Sequence, residues 1–319
     1  MFNKNVSRET FLIWLKNRGE KMELNIYQVD AFTESTFGGN PAGVVPDARN
    51  LTDVDMQNIA REMNLSETAF IEELDKENFK VRFFTPRCEV DLCGHATIAS
   101  FYLLAQKQYI MPIDNGIRKL YQETKAGRLS VEIYYKNCQV DKVLMEQGEP
   151  KSLGRIESIK PILESFRIGE EDLGIGEKFI YPEIISTGLP DIILPIKNKD
   201  ILYNLSVDFE KLEKVSKKLN VIGVHAFYLP NDDSDVVYTR NFAPAVGINE
   251  EAATGTSNGA LIYYLKKNGL LEKDEIISIQ GETMNRPSAI YCSIENINNK
   301  YIVKVGGKSK IVMEAIVNV

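Results

Sequence analysis

The chain has 319 residues, 44% hydrophobic and 26% charged, with a net charge of −7 and a pI near 5.2. That is the make-up of an ordinary globular protein long enough for about two domains, and its acidity argues against a nucleic-acid or anionic-membrane partner. No run of about 18 apolar residues offers a membrane span. Four scattered cysteines give no disulfide framework, and with only His95 and His225 beside them no metal-ligand spacing can be read, so no metal is expected.

In chain order, residues 1–21 read as an N-terminal extension: mostly polar, with one short apolar patch at Phe11–Leu15 and no secretory pattern. The compact fold is expected to begin near Leu24, with Met22 as the natural start or the extension as a packing appendage, in a cytoplasmic protein. Leu24 to Asp30 alternates as a strand. A turn-rich loop, Gly38 to Gly43, leads into a short strand at Val44-Val45. Thr52 is a good N-cap for a helix to about Asn64, with Asp55 in its first turn. Ala69–Ile71 and Phe79–Phe84 read as strands. The helix after Gly94 is apolar on most sides and should be buried. Arg128–Tyr135 and Gln139–Met145 are strands, and residues 147–178 a charged connector with a helix. Asp208 to Asn220 is an amphipathic helix, followed by strands at Ile222–Leu229 and Val236–Phe242. A second apolar helix follows Gly255, and four strands near 276–280, 289–294, 301–305 and 311–317 close the chain.

This order is a repeat. Arg82-Phe83-Phe84-Thr85-Pro86, then Cys93-Gly94-His95-Ala96-Thr97, then Gly127-Arg128-Leu129 is echoed by Arg240-Asn241-Phe242-Ala243-Pro244, Thr254-Gly255-Thr256-Ser257-Asn258 and Asn285-Arg286-Pro287. In both copies 46 residues separate the first and last arginine. Two similar halves follow, each with strands around one buried helix: an α+β protein of two pseudo-symmetric, barrel-like domains. The halves are taken as 22–140 and 141–319, with the last strand crossing back to the first. The absence of regular βαβ alternation counts against a dinucleotide-binding fold.

Each candidate residue has a functional and a structural reading. The N–H groups at Gly94 and Gly255 can bind a carboxylate or an enolate oxygen; a glycine can also merely permit a tight turn. Glu67 beside the apolar Ala69-Phe70 can shuttle a proton if it faces an apolar pocket, or be a solvated strand-edge glutamate. His95 can assist proton transfer or cap its own helix. Glu250 and Glu251 can serve only the helix dipole. Cys93 at a helix N-terminus can act as a thiolate base or be an inert core thiol. His225, Cys138 and Cys292 fall in apolar strands and read as core.

Gly39-Asn40-Pro41-Ala42-Gly43, Ser66-Glu67-Thr68, Arg82 to Pro86, Cys93 to Thr97, Glu250 to Thr256 and Gly306-Gly307-Lys308, taken in order, resemble the PhzF-type phenazine-biosynthesis isomerase family from about Met22 to the C-terminus. The resemblance implies a diaminopimelate-epimerase-like fold, each half a barrel wrapped on a helix, with the active site in the cleft between them. It implies a cofactor-independent isomerase that moves a proton at carbon in a small carboxylate-bearing substrate, and a homodimer. Glu67 falls on the family's acid/base glutamate, and Gly94 and His95 on its substrate-contacting pair. Glu251 stands where the phenazine enzyme has aspartate, and Gly255-Thr256 on a Gly-Ser pair. The catalytic set is then Glu67, His95 and Glu251; the substrate-binding set is Asn40, Cys93, Gly94, Gly255 and Thr256. Epimerase relatives carry two opposed cysteines. Here the two positions hold Cys93 and Thr254, as in hydroxyproline dehydratases. An epimerase or dehydratase using Cys93 is therefore the alternative, and a non-enzymatic ligand-binding protein a further one.

Overall fold

The structure, a computed structural model, describes residues 22–230 and 234–319; the N-terminal extension read at 1–21 lies outside the described residues. The first half begins with β1 (Glu23–Ala31), β2 (Asn40–Val45), α1 (Asp53–Met63), β3 (Thr68–Glu73), β4 (Asn78–Phe84), β5 (Glu89–Val90) and α2 (Gly94–Gln106). It continues through β6 (Gly116–Thr124), β7 (Gly127–Lys136) and β8 (Gln139–Glu146). A crossover strand β9 (Lys151–Arg155) and the short helix α3 (Lys160–Phe166) lead to β10 (Glu183–Ser186), β11 (Pro190–Pro195), α4 (Lys199–Tyr203) and α5 (Phe209–Leu219). The second half then runs β12 (Gly223–Tyr228), β13 (Val236–Ala243), β14 (Ile248–Glu251), α6 (Gly255–Lys267), β15 (Glu275–Gln280), β16 (Ser288–Ile297), β17 (Lys300–Gly307) and β18 (Ser309–Asn318).

Local chemistry accounts for the helices that were legible. Thr52 caps α1 in a reciprocal box with Asp55, and Asn64 ends the helix in the left-handed region. Asp208 caps α5, and Asn220 ends it in the same way. The helices α2 and α6 bury almost every side of their first three turns. Their amphipathicity is correspondingly weak, as expected for helices surrounded by sheet.

The repeat is visible in the strand pairing. In each half a parallel pair (β2–β3, β11–β12) is followed by an antiparallel one (β3–β4, β12–β13), a short partner (β4–β5, β13–β14) and a parallel pair across the buried helix (β4–β6, β13–β15). Two antiparallel hairpins complete each half. The halves share one continuous sheet, because β8 pairs with β17. There Gly306 must lack a side chain: a Cβ would stand 1.9 Å from the Val143 carbonyl oxygen. Each half also ends by crossing over, β9 onto β10 and β18 back onto β1. Pairing with β7 carries the first half's last hairpin on to Glu146.

A single core cluster surrounds α2 and α6, including Phe79, Phe101, Phe227 and Tyr264. Separate clusters lie beneath α1 and beneath α3 and α5. Strands β5, β6, β9, β10, β11 and β14 are additions to the sequence reading: β9 lies in the segment read as a connector, and the others fall between the elements read there. Asn40 opens a strand instead of ending a loop, because the antiparallel partner β1 extends to Ala31. Among the described residues no helix is long and apolar enough to cross a membrane.

Candidate active site

The segment entering β3 and the N-terminus of α2 bring Glu67, Cys93 and His95 together, with one potential ligand atom from each within 4.8 Å of the others. The spacing of cysteines and histidines gave no such cluster; the fold makes one by adding a carboxylate from 26 positions earlier in the chain. His95 Nε2 lies 3.3 Å from Glu67 Oε2 and 3.3 Å from Ser66 Oγ, and its Nδ1 lies 3.4 Å from Cys93 Sγ. Glu67 Oε2 is buried and accepts no hydrogen bond. Burial pushes the His95 pKa down, against the Glu67 charge and a hydrogen bond to the Pro41 carbonyl, which raise it. His95 therefore favours the neutral imidazole. Cys93 is the N-cap of α2, yet its thiol is pushed well above the ordinary range, by burial first and by the Glu67 charge second. The helix-terminal thiolate foreseen as one reading of Cys93 is thus disfavoured: desolvation outweighs the helix dipole.

The second half contributes Glu251 from the end of β14. Its Oε1 accepts from Asn40 Nδ2 at 3.0 Å, and its Oε2 accepts from Thr254 Oγ1 at 2.8 Å. Burial raises it to about 7; the Thr254 and Asn40 hydrogen bonds work against that rise and the Glu67 charge adds to it. Asn40 also donates to the Ala253 carbonyl at 3.0 Å, so this first-half side chain binds the second half at two points. Arg286 reaches the other way, donating to the carbonyls of Gly38 and Gly39 at 2.7 and 2.9 Å with Asp30 3.4 Å behind it.

A cavity of about 190 Å³ is lined by Gly94 and His95 from one half, and by Asp191, Asn241, Glu251, Gly255 and Thr256 from the other. Neither helix-opening glycine is demanded by its surroundings: a Cβ on Gly94 would meet nothing within 4 Å, and one on Gly255 only ordinary contacts. That removes the tight-turn explanation and leaves open space at two helix N-termini. Among the described residues no lysine or arginine lines the cavity. Its mouth carries Leu189, Val246 and Ile248, each more than 40% exposed.

The sequence reading missed a buried polar network on the second-half side. His225 is wholly buried between Asn258 Oδ1 and Asn241 Nδ2, both at 3.2 Å, and burial lowers its pKa to about 4. Asn241 donates to Ser257 Oγ at 3.0 Å, and Ser257 donates to Asp191 Oδ2 at 2.5 Å. Burial raises Asp191 to about 6, against hydrogen bonds from Ser257 and Gly223. His225 is a core residue as expected, but it holds the wall of the site; Cys292 is buried as expected too, whereas Cys138, also read as core, is exposed in the turn between β7 and β8. The only sequence signal was a run of polar residues, Ser257-Asn258, on an otherwise apolar helix.

The paired arginines of the repeat are structural. Arg82 holds Glu89, and Arg240 holds Glu250, each by two parallel hydrogen bonds of 2.8–2.9 Å. Glu250 therefore serves this pairing, while its neighbour Glu251 faces the cavity.

Comparison with known proteins bears on the family and the fold. The family model of phenazine biosynthesis-like proteins, PhzC-PhzF, matches residues 29–315. An uncharacterized isomerase of Clostridium acetobutylicum is 37% identical over 303 residues, covering 91% of this chain and 97% of that one. The crystal structure of a Bacillus anthracis phenazine biosynthesis protein of the PhzF family superposes with a TM-score of 0.80 at 28% identity, covering 93% of this chain and all of that one. A hydroxyproline epimerase from Agrobacterium vitis shares the fold at 12% identity, with a TM-score of 0.59 over 93% and 91% of the two chains. Fold and relatives thus define an isomerase of the epimerase-like α+β class. Within that class the chain belongs to the PhzC-PhzF family of phenazine biosynthesis-like proteins.

Proposed function

We propose that this isomerase moves a proton between carbon positions of a small carboxylate-bearing substrate, without a cofactor, in the cavity between its halves. Glu67 takes the proton and returns it. Neutral His95, 3.3 Å away, positions the carboxylate and relays the proton to the cavity it lines. Glu251, with a pKa raised to about 7, holds a polar substrate group and exchanges a proton with it near neutrality. The free N–H groups at Gly94 and Gly255 receive carboxylate and enolate charge, each such donor being worth about 3 kcal/mol of barrier. The observation that carries the reading is Glu67 Oε2, a buried carboxylate oxygen with no hydrogen bond beside the imidazole.

The test is deuterium incorporation followed by NMR, with the wild type, Glu67→Gln and Cys93→Ser incubated in D₂O with a panel of unsaturated and amino carboxylates including a dihydro-hydroxyanthranilate. Glu67→Gln is expected to lose exchange by more than about 100-fold, the scale of general acid–base catalysis, while keeping affinity for the substrate. Cys93→Ser is expected to retain exchange. Loss in Cys93→Ser alone would transfer the role to the thiol and favour an epimerase or dehydratase. Ligand binding without carbon-bound exchange would favour a binding protein.

A further inference from the structure

The cluster that holds the mobile proton also has the form of a metal site. His95 Nε2 stands 3.3 Å from Glu67 Oε2 and 3.9 Å from Cys93 Sγ. A tetrahedral zinc ion with bonds of about 2.0–2.3 Å to nitrogen, oxygen and sulfur sets its ligand atoms about 3.3–3.6 Å apart. The two His95 distances lie within a few tenths of an ångström of these spacings, and all three ligand atoms lie within 4.8 Å of one another. Their present contacts are incomplete. His95 donates to the Pro41 carbonyl, the kind of outer partner a metal-bound histidine characteristically has. Glu67 Oε2 is buried and accepts no hydrogen bond. A buried carboxylate oxygen so placed calls for a positive charge beside it, either a proton or a cation. A thiol, an imidazole and a carboxylate form a donor set suited to zinc rather than to magnesium or calcium. His95 also lines the cavity between the halves.

We infer that Glu67, Cys93 and His95 form a binding site for a soft divalent cation, Zn²⁺ or Cd²⁺, that takes the place of the transferable proton and so blocks the isomerase. On binding, the Cys93 S–H bond is exchanged for a sulfur–metal bond, and the thiol proton and the transferable proton that the ion displaces are both released to solvent; no electron is transferred. The blocking effect rests on the isomerase reading above, but the binding itself does not.

Titration of the full chain with Cd²⁺ tests this through the ultraviolet thiolate-to-cadmium charge-transfer band. The exposed Cys88 and Cys138 are first replaced together by serine to clear the background. That variant should give a band saturating at one Cd²⁺ per chain and displaced by Zn²⁺. Adding Cys93→Ser should abolish the band. Adding Glu67→Gln should loosen Cd²⁺ by more than about 10-fold, the lower end of what even an outer-shell partner contributes. A band surviving Cys93→Ser, or none in a background variant whose circular dichroism is native, would overturn the site. Deuterium exchange keeps the two claims apart. Stoichiometric Cd²⁺ binding with no exchange of any substrate hydrogen retains the metal site and removes the isomerase; exchange that Zn²⁺ leaves untouched removes the metal block.

Discussion

At the scale of single residues, the cavity gathers carboxyl groups that are not equivalent. Glu251 and Asp191 are raised to about 7 and about 6 by burial. Each binds a proton more tightly in the folded chain than in the unfolded one, so each contributes stability that is present at low pH and fades as pH rises through its folded value. His225, lowered to about 4, has the opposite sign: its contribution is lost as pH falls from about 6.5 toward 4. These effects oppose one another in the wild type, so the informative quantity is a difference. In Glu251→Gln the decline of stability between about pH 4.5 and 7 should be shallower than in the wild type, as read from urea midpoints across that range. Equal slopes in the two proteins would mean that Glu251 is not the group that burial protonates.

The elements are tied together by the paired arginines, and their environments set different costs. Arg240 is only 9% exposed and also donates to the carbonyls of Leu202, Tyr203 and Leu205, anchoring the loop after α4 to β13. Removing it strands Glu250 and frees those carbonyls. Arg240→Met should therefore cost about 3–5 kcal/mol, the range for breaking a buried pair. Arg82 is more exposed, and its partner Glu89 keeps Lys125 at 2.6 Å when the arginine is lost. Arg82→Met should cost about 1 kcal/mol. Comparable losses in urea unfolding would show that the repeat's symmetry, and not burial, governs these pairs.

At the scale of the whole molecule, the halves are joined through β8 and β17, through β9 on β10 and β18 on β1, and by two side chains that cross at the site. Arg286 clasps the loop that carries Asn40, and Asn40 clasps the turn that carries Glu251. A substitution at Arg286 should thus act on catalysis more than on folding. Arg286→Leu is expected to keep native far-ultraviolet circular dichroism while deuterium exchange falls by about 10- to 100-fold, since a misplacement of about 1 Å is enough for that. Full exchange in this variant would show that the strand pairings alone hold the halves in register.

Much of this architecture was written locally. The capping residue Thr52, the stop at Asn64, the apolar runs after Gly94 and Gly255, and the equal arginine spacing are short-range signals, and they yielded the two buried helices and the repeat around them. Glu67, His95 and Glu251 were singled out because each sits in a short motif that resembles a known family. Other features depend on distant partners. Strand β9, in an exposed charged segment, exists because β10 offers an edge for it. The chain alone carried no sign that His225 and Asp191 would join through Asn241 and Ser257, since each is an ordinary residue until the halves fold. Cys93 makes the same point most sharply: its place at a helix N-terminus suggested an acidic thiol, and only the burial supplied by the packed tertiary structure decided that the proton stays on.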